Sequence, residues 1–271
     1  MADGIDLHRI APGTAVDLAA IDPVNGMQAP GDRQATEAAT YALALRLKEQ
    51  QSMLWATKAR KVLVVLQGID TAGKGGTVKH VFGAVNPAGL RLASFDAPND
   101  DELARDYLWR VHAEVPRAGE IGVFDRSHYE DVLAVRVLDL VPEERWRKRY
   151  EHIRAFEQML VDEGTTLVKL LLHISKGEQA ERLKARLDDP EKRWKLKLGD
   201  LDARARWDDY QRAFAEAVEQ TTTADAPWYV IPADKKWYRD WAVATIMTAH
   251  LDAMSLSWPE PEDDLSGVVI D

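Results

Sequence analysis

Residues 65–78 read VLQGIDTAGKGGTV, and this stretch decides the fold class. It matches the phosphate-binding pattern GxxxxGK at residues 68–74, but Gly75 stands where that pattern has serine or threonine. A β-branched apolar run at 62–66 comes before it, and a helix-like segment follows it. Strand, glycine-rich turn and helix in this order bind phosphate through inward-turned backbone N–H groups and the positive helix N-terminus.

The loop departs from the pattern in two ways that bear on its chemistry. Gly75 removes the hydroxyl that usually coordinates Mg²⁺, and Thr77 comes too late to replace it. Asp70 lies inside the loop, where a carboxylate beside phosphates is unfavourable unless a metal or a transferred proton uses it. A turn that binds no ligand, with Asp70 bonded only to its own backbone, is the alternative interpretation.

The rest of the chain alternates between strand-like and helix-like segments. This order predicts an α/β fold, with a mostly parallel sheet of about five strands and helices on both faces. The strands are expected at 62–66, 90–95, 120–124, 166–174 and 228–231. We expect an irregular arm at 1–35, one domain at 36–257 with a helical lid at about 182–200, and an acidic tail at 258–271.

Composition narrows the class of protein. The 271 residues include no cysteine, which excludes disulfides and thiolate metal sites. The formal net charge of −10 argues against broad nucleic-acid binding, so any polyanion must bind through a local basic zone. The N-terminus lacks the pattern of a signal peptide, and no apolar run is long enough to span a bilayer. We therefore expect a cytoplasmic protein without a membrane partner.

A second acidic position comes at the end of a predicted strand, in GEIGVFDRSHYE at residues 119–130. Asp125 follows the apolar run directly, and the carboxyl ends of parallel strands meet where ligands bind. Asp70 and Asp125 therefore form a candidate Mg²⁺ pair, with Arg126 next to it as a phosphate ligand. A cap is the alternative interpretation of Asp125, and a surface side chain is the alternative interpretation of Arg126.

At this point the chain resembles a known family, the polyphosphate kinase type 2 family. The resemblance rests on ordered motifs between residues 62 and 241: GIDTAGKGGTVKHV, VNPAG, FDRSHYEDVLAVRV, DPEKRWK and TTTADAPWYVIPADKKW. It implies a three-layer P-loop kinase-like fold, dependence on Mg²⁺ (or Mn²⁺), and phosphoryl transfer between inorganic polyphosphate and AMP, ADP or guanine nucleotides. A homodimer or homotetramer is also implied. Where the diphosphate-preferring members typically read DRSWYNR, this chain reads DRSHYED, which resembles the subgroup that accepts nucleoside mono- and diphosphates.

The resemblance assigns roles to individual residues. The expected catalytic residues are Asp70, Lys74, Asp125 and Arg126, with both aspartates as metal ligands. The expected phosphate- and nucleotide-binding residues are Gly68, Thr71, Ala72, Gly73, Gly75, Gly76, Lys79, His128, Tyr129 and Glu130.

The local basic zone lies between residues 169 and 197, where nine Lys and Arg face five acids. The expected polyphosphate-binding lid residues are Arg182, Arg186, Lys192, Arg193 and Lys195. A charged helix with internal ion pairs is the alternative. We expect Trp194 to anchor the lid in an apolar pocket, and the basic run at 145–149 to be a solvated helix face or a subunit contact.

Two other functions share parts of this pattern. An ATP-dependent kinase of a nucleotide or another small acceptor needs the same loop, but no basic track for a long chain. A non-catalytic polyphosphate-binding module needs the basic residues, but could lose Asp70 and Asp125. ATP formation from ADP and polyphosphate, with no ATP added, separates the polyphosphate-dependent enzyme from the ATP-dependent kinase. Tight polyphosphate binding without any turnover would instead indicate the binding module.

Overall fold

The structure is a computed structural model, and it describes residues 4–266 and 268–270. Residues 1–3 of the expected arm and residues 267 and 271 of the expected tail lie outside these ranges. The described tail positions from 258 onward are exposed and carry no helix or strand.

A single five-stranded parallel sheet forms the centre, in the order β2-β3-β1-β4-β5. The strands are β1 Lys61–Gln67, β2 Leu90–Ser94, β3 Ile121–Asp125, β4 Thr165–His173 and β5 Trp228–Pro232. All five expected strands are present to within a few residues. The three central strands are apolar along nearly their whole length and buried, as expected when helices cover both faces of a parallel sheet.

Helices form the two outer layers. The α-helices are α1 Arg33–Thr57, α2 Lys74–Val81, α3 Asp100–Leu103, α4 Trp109–His112, α5 Ala134–Val137, α6 Glu143–Asp162, α7 Lys176–Asp188, α8 Leu198–Ala205, α9 Trp207–Thr221 and α10 Lys236–Ala253. α1, α2 and α10 pack together, while α5, α6 and α9 form the second group. None of the helices in the described ranges is long and apolar enough to cross a membrane.

Some predicted helices are shorter than expected. The segment at 99–115 forms α3 and α4 as separate short helices, because the Asp106 carboxylate caps a new turn at Leu108 N at 3.0 Å. The segment at 129–138 divides into a 3-10 helix, His128–Asp131, and α5. Each break lies beside the carboxyl end of the sheet.

The N-terminal arm is irregular but attached to the sheet. Ile10 N donates to Trp228 O at 2.9 Å and Val230 N donates to His8 O at 3.1 Å, so the arm pairs antiparallel with the edge strand β5. Leu7 and Leu18 are buried against the core. The arm therefore covers a strand edge that would otherwise be open to pairing with another chain.

Candidate active site

The loop between β1 and α2 has the conformation of a phosphate-binding turn. Gly68, Thr71 and Gly73 have positive φ angles of 150°, 72° and 108°, and such alternation turns successive N–H groups toward one concave side. Lys74 is buried and its Nζ donates to Gly68 O at 2.9 Å, which closes the loop. Gly75 lies at the start of α2 and is exposed.

The turn after β3 lies beside this loop. β3 is the direct neighbour of β1, with Asp125 in register with Leu66, so Asp125 ends its strand where the loop begins. Arg126 has a φ of 64°, a left-handed conformation that costs a non-glycine residue about 1–3 kcal/mol. Its N–H donates to Leu66 O at 3.1 Å. The strained backbone directs the side chain toward the loop.

Arg126 connects two acids at the rim of the site. Its Nη2 donates to Asp70 Oδ1 at 2.5 Å, and its Nη1 donates to Asp96 Oδ1 at 3.3 Å. Sequence reasoning missed Asp96, although it follows β2 just as Asp125 ends β3, so the rule of an acid at a strand end would have found it.

The charges in the site act on one another. Burial opposes ionisation of Asp70, but the charges of Lys74 and Arg126 outweigh it and hold the pKa of Asp70 below its ordinary value. Burial raises the pKa of Glu130, against the opposing charge of Arg126. One carboxylate is thus kept ionised beside another that holds its proton more tightly.

The donor set fits a Mg²⁺ ion that also binds phosphate. Within residues 4–266 and 268–270, no three His, Cys, Asp or Glu side chains converge into a complete metal site. Asp70 lies in the loop after β1, and Asp125 ends the neighbouring strand β3. The Asp125 carboxylate has no hydrogen-bond partner in the described chain. Mg²⁺ is commonly held by one or two carboxylates, completed by water and substrate phosphates, so these residues fit it.

A cavity of about 720 Å³ opens beside the loop and is large enough for a nucleotide. Four of the expected site residues line it: Gly68, Asp70, Arg126 and Glu130. Sequence reasoning did not assign the apolar and basic side chains of the remaining lining to the site. The apolar ones are Leu103, Leu133, Leu138 and Leu140, and the basic ones are Arg105, Arg110, Arg145, Lys148 and Arg149.

The basic run on α6 therefore differs from the expectation. Arg145, Lys148 and Arg149 line the cavity instead of forming only a solvated face. Arg149 donates to Asp131 Oδ1 at 2.8 Å and stacks over the Tyr107 ring at 4.6 Å. The spacing of three and four residues, which places side chains on one helix face, was the signal available in the sequence.

His128 and Tyr129 were expected to contact the nucleotide, and the structure corrects this. Both side chains are fully buried in the core and lie outside the cavity lining. Tyr129 Oη donates to Glu157 Oε1 at 2.7 Å, and His128 Nε2 lies 3.2 Å from the same oxygen. Lys169 Nζ pairs with Glu157 Oε2 at 2.6 Å, so this lysine also lies in the core and adds nothing to a basic surface.

The lid residues occupy three different environments. Lys192, Arg193 and Lys195 are exposed around the 3-10 helix Arg193–Lys195. Arg186 is half-buried and its Nη1 lies 3.4 Å from Asp200 Oδ2. Arg182 is buried, with its guanidinium turned to backbone carbonyls instead of solvent, which corrects its expected role as a direct polyphosphate ligand.

Two further expectations have clear outcomes. Trp194 is 75% exposed and its Nε1 donates to Glu191 O at 2.9 Å, so the expected apolar anchor is wrong for this conformation. Of the expected loop residues, Thr71 and Ala72 are buried, Gly76 is half-buried, and Lys79 is exposed away from the cavity lining.

Known proteins resemble this chain over most of its length. A sequence model of the family described as polyphosphate kinase 2 (PPK2) matches residues 31–258. The chain is 52% identical over 264 residues to the AMP/ADP-polyphosphate phosphotransferase of Meiothermus ruber, covering 97% of this chain and 99% of that protein. It is 41% identical over 227 residues to the ADP-polyphosphate phosphotransferase of Rhodopseudomonas palustris, covering 79% of this chain and 78% of that protein.

A solved structure agrees with the fold as well. The crystal structure of polyphosphate kinase 2 from Arthrobacter aurescens superposes with a TM-score of 0.93 at 44% sequence identity, covering 97% of this chain and 94% of that chain. The fold is therefore a P-loop kinase-like α/β fold, as expected. The chain belongs to the polyphosphate kinase 2 family of polyphosphate-dependent nucleotide kinases.

Proposed function

We propose that this enzyme transfers phosphoryl groups between inorganic polyphosphate and both AMP and ADP, with Mg²⁺ bound by Asp70 and Asp125. The observation that carries the proposal is the convergence of Asp70, Arg126 and Glu130 on one wall of a nucleotide-sized cavity, beside the Lys74 loop. The name of the Meiothermus ruber relative supports acceptance of AMP as well as ADP.

The reaction needs positioning more than proton transfer. An oxygen of the acceptor phosphate, already anionic near neutral pH, attacks the terminal phosphorus of polyphosphate. The bond to the bridging oxygen breaks, and a polyphosphate that is shorter by its terminal phosphoryl group leaves. When bound, Mg²⁺ neutralises charge on the donor and acceptor oxygens.

The protein's own residues hold the groups in line. The free N–H groups at the start of α2 and the Lys74 ammonium bind the phosphate chain. Arg126 contributes a planar fork to the transferring group, and its backbone conformation fixes the direction of that fork. Glu130, whose pKa is raised by burial, lines the same cavity as Arg126 and would lie beside the acceptor phosphate.

The exposed cations of the lid suit a long polyanion. Lys192, Arg193 and Lys195 lie along the segment that leads from α7 to α8, and their charges would hold the chain beyond the reacting phosphate. We also propose that the enzyme forms a homodimer or homotetramer, on the strength of the family resemblance.

The deciding experiment is an assay without ATP. The protein is incubated with polyphosphate and Mg²⁺ and with either AMP or ADP, and the nucleotides are separated by chromatography. The proposal expects ADP and ATP from AMP, and ATP from ADP. Product only with added ATP would favour an ATP-dependent kinase, and polyphosphate binding without turnover would favour a binding module.

The metal assignment has its own variant. Asp70→Asn keeps the shape of the side chain but removes its charge, so turnover should fall by at least about 100-fold. Asp101→Asn, an exposed acid on α3, serves as the matched control. Near-wild-type turnover of Asp70→Asn at saturating Mg²⁺ would contradict the assignment of Asp70 as a metal ligand.

A further inference from the structure

Arg182 lies behind the phosphate-binding loop, on the helix that leads into the lid. It is 8% exposed, and a guanidinium has five N–H donors. Its hydrogen bonds reach one carboxylate and four backbone carbonyls, at 2.7–3.0 Å. The acceptors are Glu178 Oε1, Thr71 O, Ala72 O, Ala233 O and Asp234 O. This set occupies the donor capacity of the side chain and leaves none for a phosphate.

The contacts join three segments that meet at the carboxyl end of the sheet. Thr71 and Ala72 belong to the loop, Ala233 and Asp234 follow β5, and Arg182 itself comes from α7. The start of α7 is tied to the same place, since Ser175 N donates to Asp234 Oδ1 at 2.8 Å. Arg182 therefore connects the lid-bearing helix to the loop.

The contact with Ala72 has a direct consequence for the loop. A trans peptide places its carbonyl and its N–H on opposite edges. Arg182 binds the carbonyl of the peptide between Ala72 and Gly73, so the Gly73 N–H points away from the arginine. That N–H has no hydrogen-bond partner in the described part of the chain. The bound carbonyl thus presents a free donor on the opposite edge of the same peptide.

We propose that Arg182 is a positioning residue for phosphoryl transfer. It fixes the orientation of the two loop peptides that carry Thr71 O and Ala72 O, and so holds the Gly73 N–H toward the phosphate. Thr71 has a left-handed φ of 72°, which an unsupported threonine avoids, and the bond to its carbonyl stabilises that conformation. The side chain does not touch the phosphate.

The test is Arg182→Lys, which keeps the charge but has fewer donors and no planar fork. A positioning role predicts that kcat falls by about 10- to 100-fold, because small displacements of reacting groups cost this much. The KM for polyphosphate should change by less than about threefold, and its dependence on salt should stay as in the wild type. Assays are run well below the Tm of each variant, which differential scanning fluorimetry measures.

Two comparison variants sharpen the result. Lys195→Ala removes an exposed lid cation and should raise the KM for polyphosphate with a weaker salt dependence, while kcat is kept. Lys184→Met, on the exposed side of α7, should change none of these quantities. Arg182→Lys is expected to resemble neither.

Two outcomes would overturn the proposal. If Arg182→Lys keeps kcat and raises KM with a weaker salt dependence, as Lys195→Ala does, the arginine binds polyphosphate directly. If kcat and KM are unchanged and only Tm falls, its role is structural alone. Should Arg182→Lys fail to fold, Glu178→Gln, which weakens only the contact at Nε, is measured by the same criteria.

Discussion

Gly73→Ala is the sharpest perturbation of the loop. Gly73 has a φ of 108°, and a Cβ built on it would lie 1.9 Å from Arg239 Nη1. Arg239 is 2% exposed and cannot easily move aside, because its Nε and Nη2 donate to Asp240 Oδ1 at 2.9 and 2.7 Å. The backbone conformation and the close approach of a buried side chain therefore both demand glycine.

The expected cost follows from these two terms. A left-handed conformation costs a residue with a Cβ about 1–2 kcal/mol. Forcing a methyl group against a buried, hydrogen-bonded arginine adds about 1–3 kcal/mol. The sum is roughly 2–5 kcal/mol of unfolding free energy, equivalent to a loss of about 4–20 °C in Tm for a domain of this size.

Gly75→Ala, two residues farther along and inside α2, is the matched control. A Cβ on Gly75 has no heavy atom within 4 Å, and its φ is not positive. Alanine also favours a helix over glycine by up to about 1 kcal/mol, so this variant should be as stable as the wild type or more so. Thermal and urea unfolding measure both variants, and the ATP-free assay measures their turnover.

The reasoning predicts that only Gly73→Ala loses stability and turnover together. A displaced Gly73 N–H is the physical link between the two losses. If Gly73→Ala unfolds at the temperature and urea concentration of Gly75→Ala, the loop does not have the conformation described. If it is destabilised but turns over normally, the described loop conformation is supported, but the Gly73 N–H is not important for catalysis.

The remaining predictions concern charge. Asp125→Asn should lower kcat by at least about 100-fold with Tm kept, and substantial activity at saturating Mg²⁺ would argue against a metal ligand. Lys169→Met removes the ammonium that pairs with the buried Glu157 carboxylate, so urea unfolding should show a loss of about 3–5 kcal/mol, and a loss below about 1 kcal/mol would contradict this. Burial lowers the pKa of His8 and His250 from 6.5 to about 4, so the unfolded chain binds more protons between these values and stability should fall as pH drops through them, by up to roughly 3 kcal/mol each. His250→Gln should flatten that decline in Tm, and an unchanged slope would refute the assignment.

The sheet was readable from the sequence because each strand is a short apolar run bounded by turn residues. Hydrophobic patterning identifies such runs, and the alternation of strands with helices along the chain predicts that the strands are parallel. For the same reason, the sequence predicts that Asp70 and Asp125 follow neighbouring strands at one edge of the sheet, and β1 and β3 are neighbours. The lengths of the helices were harder to predict. The Asp106 side chain accepts a hydrogen bond from Leu108 N and starts a new turn, and local side-chain bonds of this kind compete with the continuation of a helix.

The directions of individual side chains were the least predictable. His128, Tyr129 and Arg182 lie in or next to recognisable motifs, yet each faces inward to a partner far away in the chain, such as Glu157 or Ala233. Nothing in a local pattern identifies such partners. A polar residue beside a motif is therefore equally consistent with binding a ligand and with supporting the residues that do.

The ion pair between Asp70 and Arg126 must exchange its partners when the substrates and Mg²⁺ bind. Arg126 donates to Asp70 at 2.5 Å, and the charge of Asp125 also acts on it, yet the proposed reaction needs Arg126 on a phosphate and both acids on Mg²⁺. Each ionic contact within the protein has a replacement of the same sign in the substrate complex, phosphate for carboxylate and Mg²⁺ for guanidinium. Because charge is exchanged and not left uncompensated, Asp70 can stay ionised in both states. A neutral hydroxyl at Gly75 could not take part in this exchange, which gives a physical reason for the acid within the loop.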